Sequence, residues 1–322
     1  MAALGVSFWP FGLSYKAVVE LGKRAEDHGF DGVFAVEGGA SNDVMATVEA
    51  IALATQRVTV GTGIANLYLR HPATLGAGAV AVDELSGGRL ILGIGVNNEG
   101  MIKALGIAWK EPRTALRETT AWLRQVFAGQ TPPGFRTPFR PAQHPIPIHL
   151  AGVALETTEL AGEIADGLML YIATKERFKQ AVACMEQGAR KANRNPREVL
   201  VTLLIPTFLS EDLSAARAAA RQFLAFYSSV PLYAKMFRRS GFSTEMDGVS
   251  QALARGDREG AVACVSDRLM DAVCLVGPVA RCKEQLAAFR EAGVDYPILG
   301  PQAVQEDAIS AGRRLIDAFG PR

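Results

Sequence analysis

Six short segments of this 322-residue chain end in residues that can hold or work on a ligand. Val58 to Pro72 (VTVGTGIANLYLRHP) begins as a β-branched run, breaks into Gly61 and Gly63, and closes on Asn66, Arg70 and His71. Glycine has no Cβ, so a strand that turns glycine-rich at its end lets something flat or bulky approach its backbone. Comparable endings recur at Trp9-Pro10-Phe11, Glu37-Gly38-Gly39, Gly95-Val96-Asn97-Asn98, Ala151-Gly152-Val153 and Tyr171. Glycines to admit a ring face, and amides or backbone groups to bond its polar edge, suit a planar aromatic ligand. Metal chemistry is not expected, because His28, His71, His144 and His149 fall in no ligand-like spacing.

The elements that must position these residues alternate regularly. Apolar runs at Gly5–Trp9, Gly32–Glu37, the central stretch from Val58, Arg89–Gly95, Ile146–Ala151, Gly167–Ile172, Val199–Phe208 and Tyr296–Leu299 read as strands. Helical spacing falls between them, at Tyr15–His28, Asp43–Ala54, Ala73–Leu85, Arg113–Ala128, Leu155–Ala165, Lys175–Ala192, Leu213–Arg239, Ala280–Ala292 and Ala303–Phe319. Thr131–Pro147 is proline-rich and reads as a loop over the mouth. Eight strands alternating with helices predict an α/β fold, a parallel (β/α)8 TIM barrel, with a doubly wound open sheet as the alternative. Residues 1–322 read as a single domain, with an insertion at roughly 213–275 between the last two strands; Ser240–Arg258 within it has no clear pattern. In such a barrel the strand endings converge on one rim, where the chemistry sits.

Composition narrows the function. Lysine plus arginine total 34 against 33 for aspartate plus glutamate, so nothing favours nucleic acid or an anionic membrane. No apolar run approaches the roughly 18 residues of a membrane span, and the N-terminus lacks a signal-peptide pattern, so a cytoplasmic location is expected. Cys184, Cys264, Cys274 and Cys282 form no CxxC pair and read as thiols of a reducing compartment.

The stretch from Gly63 to Pro72, the run Asp83-Glu84-Leu85-Ser86-Gly87-Gly88-Arg89 followed by Leu92-Gly93-Ile94-Gly95, and Leu160 to Gly167 (LAGEIADG) together carry a resemblance. They are similar to the bacterial luciferase-like superfamily, and more narrowly to its coenzyme F420-dependent oxidoreductases, which include methylenetetrahydromethanopterin reductase. The resemblance spans Gly5 to about Asp295 and implies a homodimer, to which the small-residue helix with Gly76, Ala77, Gly78 and Ala79 contributes unless it packs inward.

The resemblance also implies a site. A non-prolyl cis peptide behind the cofactor ring maps to Gly63–Ile64, with Ala65 following. Asn66 and Asn97 would present amides to the ring or tail, and Ala151, Gly152 and Val153 would line the ring edge and the ribityl-phosphate tail. Thr157 would open a helix whose amides and dipole favour a phosphate, or simply cap it. Many relatives end strand two with Asp-His; Glu37-Gly38 stands there instead, which leaves Glu37 as the ionisable candidate for acid–base work or as a carboxylate bonding loop amides. His71 fits a loop-organising role with Arg70. The serine- and arginine-containing phosphate motif of flavin monooxygenases is missing after strand five, which favours F420 over FMN. The function implied is hydride transfer between a deazaflavin and a small organic substrate. An FMN-dependent monooxygenase and a barrel that binds a cofactor or metabolite without turnover are the alternatives. Trp9, Phe11, Tyr68, Trp109 and Tyr171 are candidate pocket aromatics, each equally compatible with the core.

Overall fold

The computed structural model describes residues 3–9, 11–39, 41–131, 134 and 136–321. Pro10, within the first strand ending, and Pro132, Pro133 and Phe135, within the proline-rich loop, lie outside the described residues.

Eight parallel strands close a barrel: β1 (Gly5–Phe8), β2 (Gly32–Ala35), β3 (Thr59–Thr62), β5 (Leu90–Gly95), β6 (Ile148–Ala151), β7 (Gly167–Tyr171), β8 (Leu200–Leu209) and β10 (Tyr296–Pro301). They pair in that order, and β10 closes the ring by pairing with both β8 and β1. Two short strands stand outside the ring. β4 (Ala65–Asn66) pairs with β5, and β9 (Leu275–Gly277) pairs with the end of β8. The open-sheet alternative is thereby excluded.

Side chains alternate across a strand, so every second residue of each strand points into the barrel. Phe34, Ile91, Met169, Leu204, Tyr296 and Ile298 pack there as a plug, separate from the larger core between strands and helices. The register explains why so large a ring as Phe34 fits: it lies opposite Gly61, where a Cβ would meet the ring at 2.5 Å. Two residues beyond Phe34, Gly61, Met169, Leu204 and Ile298, above the plug, stand Val36, Gly63, Tyr171, Pro206 and Gly300, and on β5 Gly95 lies four beyond Ile91. The barrel is filled below and lined by small residues at its C-terminal rim.

The superfamily-like run that ends in Arg89 is structural. Pro72–Ser86 forms helix α3, Gly87 and Gly88 turn the chain with positive φ, and the Arg89 guanidinium donates to the carbonyls of Ala52, Thr55, Val58 and Ser86. It thereby ties α2 (Val44–Ala54) to the starts of β3 and β5. Asp83 is buried and accepts from the backbone N–H groups of Gln143 and His144.

That contact corrects one expectation. Residues 136–147 run not over the mouth but across the opposite, N-terminal end, because they lead from α5 (Pro112–Phe127) back to the beginning of β6. A helix-to-strand connection must land where strands start. The long helix expected over Leu213–Arg239 is also two helices, α8 (Leu213–Ser229) and α9 (Pro231–Arg239), since Pro231 cannot continue α8 but suits a first helical turn. The unpatterned stretch that follows is largely α10 (Ser243–Ala254), and α11 (Arg258–Ala263) and α12 (Asp267–Val273) complete the segment. These helices share an apolar cluster of their own with α8 and Phe208 of β8, including Leu224, Phe237, Met246 and Leu269.

Candidate active site

The small-residue layer above the plug is the candidate slot. A Cβ on Gly63 would find its nearest neighbours at 3.4 and 3.7 Å, on Leu204 and Phe34, and one on Gly300 would meet only Ser7 Oγ within 3.5 Å. Both glycines therefore leave room that a side chain would fill. The Gly63–Ile64 peptide is cis. Gly63 N–H donates to Ala35 O (2.8 Å), and Ile64 O accepts from Glu37 N–H (3.3 Å), which locks the bulge against the end of β2. Ile64 and Ala151 rest on the plug, and both lie against Gly95, where a Cβ would meet Ile64 at 3.1 Å and Ala151 at 3.3 Å.

Asn66 is the amide that this arrangement buries. Its backbone N–H donates to Glu37 Oε2 (2.6 Å), its Oδ1 accepts from Tyr68 N–H (3.0 Å), and its Nδ2 is buried with no hydrogen-bond partner among the described residues. A buried amide without an acceptor forfeits about 1–3 kcal/mol, which a ligand oxygen would restore. Ser7 Oγ, beside Gly300, is a second buried polar atom without a partner.

Glu37 is brought to the slot but is heavily engaged. Its side chain is fully buried, and its Oε1 lies 2.6 Å from Arg70 Nη1 in an ion pair that is not an aligned hydrogen bond. Arg70 in turn reaches Asp43 Oδ1 at 2.9 Å. Burial pushes the Glu37 carboxyl above its ordinary value, opposed by the Asn66 N–H and by Arg70. Of the two roles open to it, this geometry matches the carboxylate that bonds loop groups. His71 likewise caps α3, its Nδ1 accepting from Ala73 N–H (3.2 Å).

The other expected ligand-binding residues divide. Asn97 is exposed, has φ of 55°, and its Oδ1 accepts from the Asn98 N–H. Gly152 is buried against Thr157, where a Cβ would meet the threonine at 2.8 Å. Thr157 lies in the first turn of α6 (Leu155–Ile164); its N–H turns back to Ala154 O (3.1 Å), and since the N-cap Ala154 offers no side-chain cap, the N–H groups of Leu155 and Glu156 are left as donors.

Arg177 was not identifiable from the sequence. It sits in the first turn of α7 (Lys175–Lys191), almost wholly buried, and donates to Val153 O at 2.5 Å just ahead of α6. It has no carboxylate partner among the described residues. Burial and the nearby Arg239 guanidinium push its pKa down, opposed by the Cys184 thiol and the Glu156 carboxylate. Arg177 thus reaches the segment ahead of α6 from the following βα unit, a contact with no local sequence signal. A guanidinium and a helix N-terminus are groups of the kind that bind phosphate.

The aromatic candidates also separate. Tyr68 stacks on Trp109 (4.9 Å) and donates to Lys110 O, pinning a loop. Trp9, Phe11 and Tyr171 meet one another at the rim. Among the described residues no cluster of three or more His, Cys, Asp or Glu could hold a metal, and no helix is long and apolar enough to cross a membrane.

Known proteins share this plan. A methylenetetrahydromethanopterin reductase of Methanolobus tindarius is 30% identical over 304 residues, covering 92% of this chain and 93% of the relative. A Mycobacterium tuberculosis protein named as a coenzyme F420-dependent oxidoreductase is also 30% identical, over 310 residues, covering 87% and 89%. Among solved structures, the F420-dependent tetrahydromethanopterin reductase of Methanopyrus kandleri superposes with a TM-score of 0.82 at 22% identity, covering 99% and 97% of the two chains. An F420-dependent secondary alcohol dehydrogenase gives 0.75 at 19%, covering 98% of each. The family model described as luciferase-like monooxygenase matches residues 6–296. With that match and these relatives, the chain belongs to the luciferase-like family and is an enzyme.

Proposed function

We propose that this protein is a coenzyme F420-dependent oxidoreductase that moves a hydride between the deazaflavin and a small organic substrate. The observation that carries the reading is the slot itself: an interior filled up to Phe34 and Leu204, then a layer of glycines with the unpartnered Asn66 amide beside it. The names of the two relatives near 30% identity point to the same coenzyme. When bound, a deazaflavin supplies a carbon centre that gives or takes a hydride and hardly reacts with oxygen.

The chain's own residues do the rest. Gly63 and Ile64 would back one face of the ring, Gly300 leaves room for it, and Gly95 lets Ile64 and Ala151 close together beside it. Asn66 Nδ2 would donate to an oxygen on the ring's edge. Glu37 holds Asn66 in place through the backbone N–H, and Arg70 holds Glu37. The α6 amides, Thr157 and Arg177 would take the phosphate of the tail, with Ala151, Gly152 and Val153 alongside. The substrate is held against the open face within about 3–3.5 Å, the distance that removes most of the orientational cost.

FMN shares the tail phosphate, so the phosphate site alone does not choose between the two cofactors. Titrating the purified protein with F420 and, separately, with FMN while following ligand fluorescence decides it. F420 is expected to bind at least tenfold more tightly. Equal or tighter binding of FMN turns the assignment to a flavin monooxygenase.

A further inference from the structure

We propose that the substrate side of the slot is built for a neutral, flat aromatic compound bearing a hydrogen-bond-accepting oxygen next to its ring, an aryl carbonyl being the simplest case. The inference deepens the reading above by giving that site a substrate class, and it rests on that reading for the slot's location.

The wall beside the slot is almost entirely aromatic. Tyr171 ends β7 and packs on the same interior plug as Ile64 and Ala151, so it joins wall and slot. Trp9, from the end of β1, lies 5.9 Å from it and stacks on Phe11 at 6.2 Å with an interplanar angle of 18°. From the segment between β8 and β9, Tyr227 and Tyr233 present their edges to Tyr171 at 5.4 and 6.3 Å, each nearly perpendicular. These rings come from three places in the sequence, the ends of β1 and β7 and the α8–α9 junction. Tyr171, Tyr227 and Tyr233 rest on the apolar cluster of the segment between β8 and β9, yet they and Trp9 stay partly exposed, and Phe11 is 63% exposed. A stacked pair with perpendicular edges around it is the environment into which another flat ring fits, face to the stack and rim to the edges.

The polar atoms on this wall are hydroxyls. Tyr171 and Tyr227 bond to each other through their oxygens at 3.2 Å, and neither hydroxyl has another partner among the described residues. The pair holds two protons, and the mutual bond uses one. The other O–H is left to donate to a ligand oxygen. Burial drives both phenols upward, Tyr227 to about 12, so the pair stays protonated and remains a donor throughout the physiological range. The groups that perturb these three tyrosines are other tyrosines and the Cys274 thiol, with no carboxylate or cation among them. A wall of neutral donors and ring faces favours a neutral ligand with an acceptor, and gives a charged one nothing to pair with.

The test uses the full chain with acetophenone, its saturated counterpart cyclohexyl methyl ketone, and ethylbenzene, which keeps the ring but lacks the oxygen. Dissociation constants come from ligand-detected NMR titration, with and without F420. Acetophenone is expected to bind about tenfold or more tightly than either control. The double variant Tyr171→Phe/Tyr227→Phe, which keeps both rings and removes both hydroxyls, is expected to lower acetophenone affinity towards that of ethylbenzene while leaving ethylbenzene unchanged. Trp9→Leu is expected to weaken both aromatic probes together. Equal binding of acetophenone and the saturated ketone, or a double variant that binds acetophenone as the wild type does, overturns the proposal. F420 titration of the same variants separates the two readings. If F420 binds normally and the probes show no preference, the substrate class fails alone; if the probe preference holds and F420 does not bind, the cofactor fails alone.

Discussion

A carboxylate with no solvent exposure, one oxygen on a backbone N–H and the other on a guanidinium, is poorly placed to exchange protons with a substrate and well placed to hold a loop. Glu37 is in that position, and what it holds is the backbone of Asn66. The two roles separate by substitution. Glu37→Gln keeps an oxygen for the Asn66 N–H, and Asp43 remains for Arg70. F420 affinity should then fall by no more than a few-fold. Glu37→Ala leaves the N–H without an acceptor, and affinity should fall by tenfold or more, as loss of a buried hydrogen bond implies. Fluorescence titration of both variants gives the answer. Should glutamine abolish turnover while cofactor binding stays intact, and should the wild type show a rate dependence on a raised carboxyl, Glu37 is an acid–base group after all. At this scale the sequence was half legible. It marked Asn66 and Asn97 alike as amides at strand ends, but only coordinates show one buried beside the slot and the other spent on its neighbour. Arg177 was invisible, because a side chain that crosses from one βα unit to the next leaves no spacing to read.

The elements were far easier to recognise. Parallel strands covered on both faces read as apolar runs, and all eight barrel strands emerge from that pattern alone. What failed was decided by connectivity or by short range: β4 and β9 have two and three residues, and the proline-rich loop looks the same whichever end of the barrel it crosses. Between β8 and β10, helices pack against one another rather than along the sheet, so no alternation with strands frames them. The small residues of α3 show how an element is fitted to its neighbours. Gly76 faces α5, where a Cβ would meet three atoms of Val126 at 2.9 to 3.1 Å, and Val126 is β-branched and stiff. Gly78 has only Met45 Cε within 4 Å, at 3.6 Å. Inward packing thus accounts for Gly76. Gly76→Ala should destabilise the protein by about 1–3 kcal/mol through overpacking. Gly78→Ala should instead be neutral or stabilising by up to about 1 kcal/mol, the ordinary helix preference. Urea unfolding of the two variants checks the contrast, and equal effects would mean that α3 can shift to absorb both.

For the whole molecule, pH is the variable that reaches every layer, and the buried titrating groups pull in opposite directions. Glu37 has a raised folded pKa, so the stability tied to its protonated form is lost as pH rises from the ordinary carboxylate range through the folded value. Glu26 acts oppositely. Burial would raise it, but N–H donors from Val58, Arg57 and Gln56 outweigh that and lower its pKa, so its contribution is present at neutral pH and fades in acid. His149 works in the same direction as Glu26. It sits on β6 with its ring over Gly167 and its Nδ1 unpartnered, and burial lowers its pKa to about 4, opposed by Asp166. The unfolded chain takes up a proton near the ordinary histidine value, whereas the folded chain does not until far lower. Stability is therefore whole above about pH 6.5 and declines as pH falls towards 4, by on the order of 3 kcal/mol. His149 and Glu26 then act together against Glu37, and the balance is an acid-labile barrel. Urea midpoints at pH 7.5 and pH 4.5 should differ clearly for the wild type. His149→Leu, which cannot take up a proton, should show a markedly smaller difference, whatever its own stability at neutral pH. A slope unchanged in that variant would place the acid sensitivity with the carboxylates and leave His149 a spectator.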